Sequence, residues 1–287
     1  MSTSVRSSAA AARLQESRPL VAVELRPPQA GLTSARSMDH WIDVHHAVRR
    51  LAARDTVIFM TDNAVGQAEE ENLGHLTANL AGDVSPAKLV PFLTAKHSLE
   101  YCLMYAARAA ASGFETLTVL GGDRSVGPPR CVEYAWQLRK IIRERVPSVT
   151  LGGWANPLGD PSAQVDFLLQ PEFNASFYLT QIVSHHSIRE IERFVSEARR
   201  RGVPYPGVFG VFHYYSANPG TLRKLSSFFP VPSEGVTRDF ESGMSPEEIT
   251  ARTISSLREI GVDKVYLSNL GFKKPEEKYR RITEALS

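Results

Sequence analysis

The sequence predicts an α/β fold, a single (β/α)8 TIM barrel, on three observations. Eight short β-rich runs alternate with amphipathic helical patterns from one end of the chain to the other. Several of these runs are apolar on both faces, as parallel strands covered by helices are. No boundary between repeats is rich in linker residues, so the 287 residues read as one domain of a size such barrels commonly reach.

Strand one is expected at 20–25 and is closed by Pro27-Pro28, with a helical pattern at 39–53 after it. Strands two and three are expected at 56–61 and 88–94, with a shorter helix at 69–81 between them. Helix 98–112 leads into strand four at 115–120, and helix 129–145 into strand five at 148–152. A short helix at 162–172 precedes strand six at 175–181, and helix 186–201 precedes strand seven at 206–212. Segment 218–228 reads as a further short helix and 229–244 as a long connection of active-site type. Helix 245–260, strand eight at 263–268 and helix 275–286 complete the set. Ser98, Ser187 and Ser245 are placed to cap helix starts, and Gly113, Gly202 and Gly261 to follow helix ends. Ser245-Pro246-Glu247-Glu248 is the clearest start, with an N-cap, a first-turn proline and acids against the helix dipole. Residues 1–18, rich in Ser, Ala and Arg, are expected to form a loose tail before a barrel domain at 19–287.

Composition excludes several classes of function. A formal net charge of +2 gives no nucleic-acid footprint, and no apolar run reaches transmembrane length, so neither nucleic acid nor membrane is expected as a partner. Cys102 and Cys131 lie outside any zinc-ligand or disulfide spacing, which fits a reducing cytoplasm. His45-His46 and His185-His186 are adjacent pairs whose side chains should diverge, with no acid at ligand spacing, so no metal is expected. Phosphate-loop, dinucleotide and serine-hydrolase glycine motifs are absent from the sequence. The sequence leaves a homo-oligomer open.

Strand one places a carboxylate, Glu24, inside a run that otherwise wants burial. Such an acid is either a satisfied structural group, paired with Arg26, or a proton-transfer group whose pKa desolvation raises. In a barrel of this kind reactive groups gather at the C-terminal strand ends. Those ends supply Thr61-Asp62-Asn63, Gly121-Gly122-Asp123, Trp154, Thr180-Gln181, Phe212-His213-Tyr214 and Ser268-Asn269. Acids, amides and aromatic faces together suit a flat, uncharged heterocycle with donor and acceptor edges. Asp123 can accept two parallel hydrogen bonds from an amino-pyrimidinone edge, with Gln181 as donor and acceptor beside it.

With these residues in view, the chain resembles the methylenetetrahydrofolate reductase family from about residue 20 to 270. Glu24-Leu25-Arg26-Pro27-Pro28 is similar to the family's Glu-Phe-Phe-Pro-Pro, Leu120-Gly121-Gly122-Asp123 to Leu-Arg-Gly-Asp, and Leu179-Thr180-Gln181 to Ile-Thr-Gln. Gly153-Trp154-Ala155-Asn156-Pro157 stands at its Tyr-Pro-Glu segment and Pro206-Gly207-Val208 at its Pro-Gly-Ile. The resemblance implies reduction of 5,10-methylenetetrahydrofolate to 5-methyltetrahydrofolate, a step toward methionine. It makes Glu24 the catalytic acid and gives Asp123 the pterin edge and Gln181 a folate-contacting role. Thr180, Trp154, Phe212 and Tyr214 join the expected substrate contacts, and Thr61, Asn63, His213 and Asn269 the expected cofactor contacts. Where the family holds FAD with Arg and His in Leu-Arg-Gly-Asp and Pro-His-Leu-Thr, a His after Tyr-Pro-Glu and a Lys before Ile-Thr-Gln, this chain has Gly121, Phe92, Asp160 and Gln170. The chain therefore resembles the family's flavin-independent actinobacterial type, with NADH or NADPH passing hydride directly and FAD absent. An FAD-dependent reductase and a non-catalytic folate-binding barrel subunit are the alternatives.

Overall fold

Short β-branched and aromatic runs dominate the strands, and a period of two divides each run between an interior face and a helix-covered face. The computed structural model describes residues 10–62, 68–80, 82–124 and 127–286. Strands β1 (Leu20–Leu25), β2 (Ile58–Met60), β3 (Leu89–Thr94), β4 (Thr116–Leu120), β5 (Thr150–Ala155), β6 (Phe177–Val183), β7 (Gly207–Phe212) and β8 (Lys264–Ser268) pair in parallel and in sequence order. β8 returns to β1, with Val23 opposite Leu267, and closes the barrel. The (β/α)8 barrel expected from the sequence is the one observed.

Around it run α1 (Ala10–Gln15), α2 (Ser34–Ala52), α3 (Asn72–Leu80), α4 (Leu99–Ala111), α5 (Ala135–Arg145), α6 (Pro161–Leu169), α7 (Ile188–Arg200), α8 (Pro219–Leu225), α9 (Ser233–Glu241), α10 (Pro246–Glu259) and α11 (Pro275–Glu284). Ser98 and Ser245 cap α4 and α10 as expected, and Gly113, Gly202 and Gly261 all take positive φ at helix ends. Ser187 makes no capping bond, because Ser184 caps a 3-10 turn at His185–Ser187 that precedes α7. The connection at 229–244 is not a plain loop but carries α9.

Two expectations are corrected by packing. β5 continues to Ala155 through Gly152-Gly153, because these glycines leave room for rings: a side chain at 152 would overlap Phe177, and one at 153 would overlap Phe173. Within the expected tail, residues 10–15 form α1, while residues 1–9 lie outside the described part. Ala10 and Leu14 share one face of this alanine-rich helix and join the interior cluster beside Leu20. Arg13 donates to Pro19 O at 2.7 Å, and Lys264 Nζ donates to Glu16 O at 2.5 Å, so α1 seats on the N-terminal end of the barrel.

The interior cluster holds Leu20, Ala22, Val57, Phe59, Val90, Phe92, Phe177, Leu179, Val208 and Tyr266, while the alternate residues pack outward against the helices. Among the described residues no helix is long and apolar enough to cross a membrane.

Arg139 of α5 is fully buried and clamps two segments through their carbonyls. Its Nε and Nη2 donate to Phe173 O at 2.9 and 2.8 Å, its Nη1 donates to Val119 O at 3.0 Å, and its guanidinium lies 5.2 Å over the Phe173 ring. Burial lowers its pKa to about 10, which leaves it charged at neutral pH. Arg139→Met keeps the apolar volume and leaves both carbonyls without that donor, a loss of about 2–4 kcal/mol. A lower urea midpoint with an unchanged slope is expected, and an unmoved midpoint would remove the clamp from the list of stabilising contacts.

Candidate active site

Alternation along β1 puts Leu20 and Ala22 inside and Val21, Val23 and Leu25 outside, so Glu24 is the last interior step at the C-terminal mouth. It is half-buried on a strand whose other residues are buried. Register across the closure sets it beside Ser268 of β8, whose Oγ donates to Glu24 Oε1 at 2.6 Å. Burial raises the Glu24 pKa from 4.5 to about 7, and Glu69 adds to the rise while Ser268 and Arg26 oppose it.

Arg26 does not pair with Glu24. Its Nε meets Glu69 Oε1 at 3.0 Å, and the other Glu69 oxygen accepts from Thr61 Oγ1 at 3.0 Å. Thr61, expected at the cofactor, thus serves a buried acid between β1 and β2. Asp62 accepts from Thr94 N at 2.7 Å and from Thr94 Oγ1 at 3.0 Å, and it meets His97 Nε2 at 2.9 Å, tying the mouths of β2 and β3. Asn63 lies outside the described residues.

Asp123 is exposed just past β4, in the electrostatic reach of Arg130. The Arg130 guanidinium fills the space a side chain at Gly121 would need, and its Nη2 donates to Gly122 O. Lys96 packs its stem against Gly122 and donates from Nζ to Pro128 O at 2.9 Å. Although Gly121 stands at the position of the family's Arg, Arg130 and Lys96 bring two cations to this mouth from other segments. At the other substituted positions, the Phe92 ring packs 5.9 Å from Phe59 in the interior, and Asp160 caps α6 by accepting from Ala163 N at 2.8 Å. Gln170 is exposed at the C-cap of α6.

β6 carries a bulge. Leu179 pairs with Val208 but Ile182 with Gly210, one residue too many on β6. Thr180 fills the gap, accepting from Gly210 N at 3.1 Å and donating to Gln181 O at 2.8 Å. Fully buried and satisfied, Thr180 is withdrawn from the mouth, contrary to its expected substrate contact. Gln181 stays half-buried; its Oε1 accepts from Ile182 N at 2.9 Å, leaving its amide N–H groups as donors. Trp154 and Phe212 are half-buried against the interior cluster. Phe212 is flanked by Tyr214 at 4.9 Å and by Phe229 at 5.0 Å from the segment joining α8 to α9. Tyr214 is buried, and its hydroxyl has no hydrogen-bond partner.

His213 follows Phe212 and so turns outward, where its Nδ1 meets Thr250 Oγ1 of α10 at 3.0 Å. It is buried against α10, not open to a cofactor, and burial lowers its pKa to about 4. Asn269, with a left-handed φ of 70°, donates from Nδ2 to His213 O at 3.0 Å and ties β8 to β7. Sequence reasoning placed Ser268 at a strand end without a role, and it missed Glu69, His97 and Arg130. Only Ser268 left a signal, the interior parity of β8. Cys102 and Cys131, distant in sequence, share a side-chain contact, and burial pushes the Cys102 thiol up. Two open grooves of about 570 and 640 Å3, between α6 and α7 and between α8 and α9, contain none of these strand-end residues.

No protein-family model and no curated protein matches the chain. Among solved structures, an uncharacterized protein from Clostridium thermocellum that binds two copies of 5-methyl-5,6,7,8-tetrahydrofolic acid is similar with a TM-score of 0.67 at 15% identity, covering 95% of this chain and 96% of that one. An F420-dependent secondary alcohol dehydrogenase in complex with an F420-acetone adduct gives 0.58 at 11% identity, covering 94% and 99%. MsnO8 in its apo form gives 0.58 at 12% identity, covering 94% and 98%. At these identities the likeness establishes the fold, a complete barrel matched over nearly the full length of each chain.

Proposed function

We propose that this protein reduces 5,10-methylenetetrahydrofolate to 5-methyltetrahydrofolate, with Glu24 as proton donor and NADH or NADPH as hydride donor. The observation that carries the reading is Glu24 itself, an interior carboxyl at the barrel mouth with a pKa near 7. A neighbour of similar fold binds methyltetrahydrofolate and another is a deazaflavin-dependent dehydrogenase, which supports folate recognition and hydride chemistry at such a mouth.

The bridged imidazolidine opens to an N5 iminium only when its leaving nitrogen is protonated, and Glu24 in its acid form supplies that proton. Ser268 holds one carboxyl oxygen and so fixes the orientation of the group. Asp123 and Gln181 take the pterin edge, and Trp154 offers a half-buried apolar face beside them. A reduced nicotinamide supplies the hydride when bound. At the family's flavin-contacting positions Phe92 offers a packed ring and Asp160 a capping carboxylate, neither suited to a diphosphate, although Arg130 and Lys96 stand nearby.

Glu24→Gln keeps the shape and removes the proton, so kcat should fall about 10²–10⁴-fold with folate affinity kept. Near-normal turnover would overturn the role of Glu24, and folate binding with no turnover in the wild type would favour the non-catalytic barrel.

The same group sets two pH dependences. Activity should hold below about pH 7 and fall as pH rises through the Glu24 pKa. Because the folded pKa is raised, the acid form stabilises the fold fully below the unfolded value of 4.5, and that contribution is lost as pH rises through about 7. Glu24→Gln should therefore melt above the wild type at pH 8, by about 3 kcal/mol of stability, with the gap shrinking toward pH 4.5. A gap independent of pH would return Glu24 to the role of an ordinary solvated acid.

A direct transfer needs both substrates present together, so the purified protein should be colourless, active without added FAD, and sequential in two-substrate kinetics. NADH, NADPH and a reduced deazaflavin offered in turn identify the donor. Parallel double-reciprocal lines, or stoichiometric FAD released on denaturation, would assign the chain to flavin-dependent chemistry.

A further inference from the structure

Beyond the mouth of β1, a second cluster forms where β6 leaves the barrel. His185 and His186 lie in the 3-10 turn after β6, and Asp239 reaches them from α9. Adjacent histidines were expected to diverge, but here the rings lie 3.9 Å apart, tilted by 41°, and converge on one carboxylate oxygen. His185 Nε2 is 3.1 Å and His186 Nε2 2.8 Å from Asp239 Oδ2, and the three potential ligand atoms lie within 4.8 Å of one another. Gly235 makes the approach of α9 feasible, since a Cβ there would stand 2.6 Å from the His186 ring.

The hydrogen bonds around Thr253 favour one tautomer of His185. Thr253 Oγ1 donates to Ile249 O at 3.2 Å within α10, so it accepts from His185 Nδ1 at 2.8 Å. With the Nδ1 proton committed there, Nε2 of the neutral ring presents a bare lone pair to Asp239. That side chain is 6% exposed, as is Asp239, and His185 Nε2 has no hydrogen-bond partner. Two acceptors thus face each other in a buried site at 3.1 Å, an arrangement that calls for a cation between them. Arg252 Nη1 engages Asp239 Oδ1 at 3.3 Å and leaves Oδ2 to the histidines. The Thr253 contact is the outer-shell support that orients metal-binding imidazoles.

We propose that His185, His186 and Asp239 bind a divalent transition-metal ion of the zinc class, with a fourth position left to water. Two imidazoles and one carboxylate are the donor set of such sites, and the separations from Oδ2 match the edges of a small coordination polyhedron. The ion ties the exit of β6 to α9, and through the α8–α9 excursion to Phe229, which packs on Phe212.

The test is titration of chelator-treated full-length protein with Zn²⁺ in competition with a chromophoric chelator. One equivalent should bind with submicromolar affinity and raise the melting temperature, and Co²⁺ in its place should give visible d–d bands of a nitrogen-and-oxygen site. His185→Gln and Asp239→Asn should each weaken binding by about 100-fold or more, while His45→Ala with His46→Ala should leave it unchanged. Failure of the folded wild type to bind Zn²⁺ below the micromolar range would overturn the site, a result that needs no variant to fold. Undiminished binding by folded His185→Gln or Asp239→Asn would overturn it equally.

Discussion

The interior of a closed eight-stranded barrel admits side chains but little water, and β1 ends its interior face with a carboxyl group. Every property assigned to Glu24 follows from that placement. Desolvation lifts its pKa to about 7, and the hydroxyl that holds it comes from β8 because closure makes β8 the neighbour of β1. Had Arg26 turned inward, a salt bridge would have held the acid ionised and made it a poor proton donor. Instead Arg26 is taken up by Glu69, itself buried and bonded by Thr61. The ion pair beside Glu24 is therefore nearly self-compensating, and burial is left as the dominant influence on the acid.

The mouth divides its polar groups between those that bridge neighbouring strands and those that keep surface at the rim. Asp62 joins β2 to β3, Asn269 joins β8 to β7, and Thr180 fills the bulge between β6 and β7. Asp62 and Asn269 lie just past strand ends and Thr180 lies at a break in the ladder, places where unpaired backbone groups need partners. Glu24, Gln181 and Trp154 keep part of their surface at the mouth, and Asp123 is exposed beside the Arg130 guanidinium. The bulge changes the parity of β6: Leu179 and Ile182 both lie on the interior face although three residues apart, where strict alternation would set them on opposite faces.

The order of strands and helices was legible because parallel barrel strands are short apolar runs with clear turn chemistry. Glu24 was legible as an acid in such a run, and the caps at Ser98 and Ser245 were legible from local spacing. What was not legible depends on contacts between distant segments. Ser268 is 244 residues from Glu24, and Asp239 is 53 from His186. The bulge that Thr180 fills leaves no mark in residue type. Arg130 replaces a missing side chain at Gly121 by reaching across a loop, which a position-by-position comparison with a family motif overlooks. α1 had the helix propensity of an alanine-rich stretch, but its burial depends on the barrel floor against which it packs.

Helix α10 shows how one element can set the chemistry of two strand exits. Thr250 and Thr253 lie three residues apart on one face, and each hydroxyl donates to a carbonyl of its own helix, Pro246 O and Ile249 O. Each is thereby left as an acceptor, and each accepts a hydrogen bond from Nδ1–H of a histidine, His213 after β7 and His185 after β6. The two imidazoles are thus held in the same tautomer with Nε2 bare, and burial keeps both near pKa 4. Their surroundings then distinguish them. His213 Nε2 has no hydrogen-bond partner, and its ring packs edge-on against Tyr215 at 4.9 Å, as a wall residue does. His185 Nε2 faces a buried carboxylate with a second imidazole alongside, so the same helix-imposed tautomer that makes one histidine inert gives the other the geometry of a ligand.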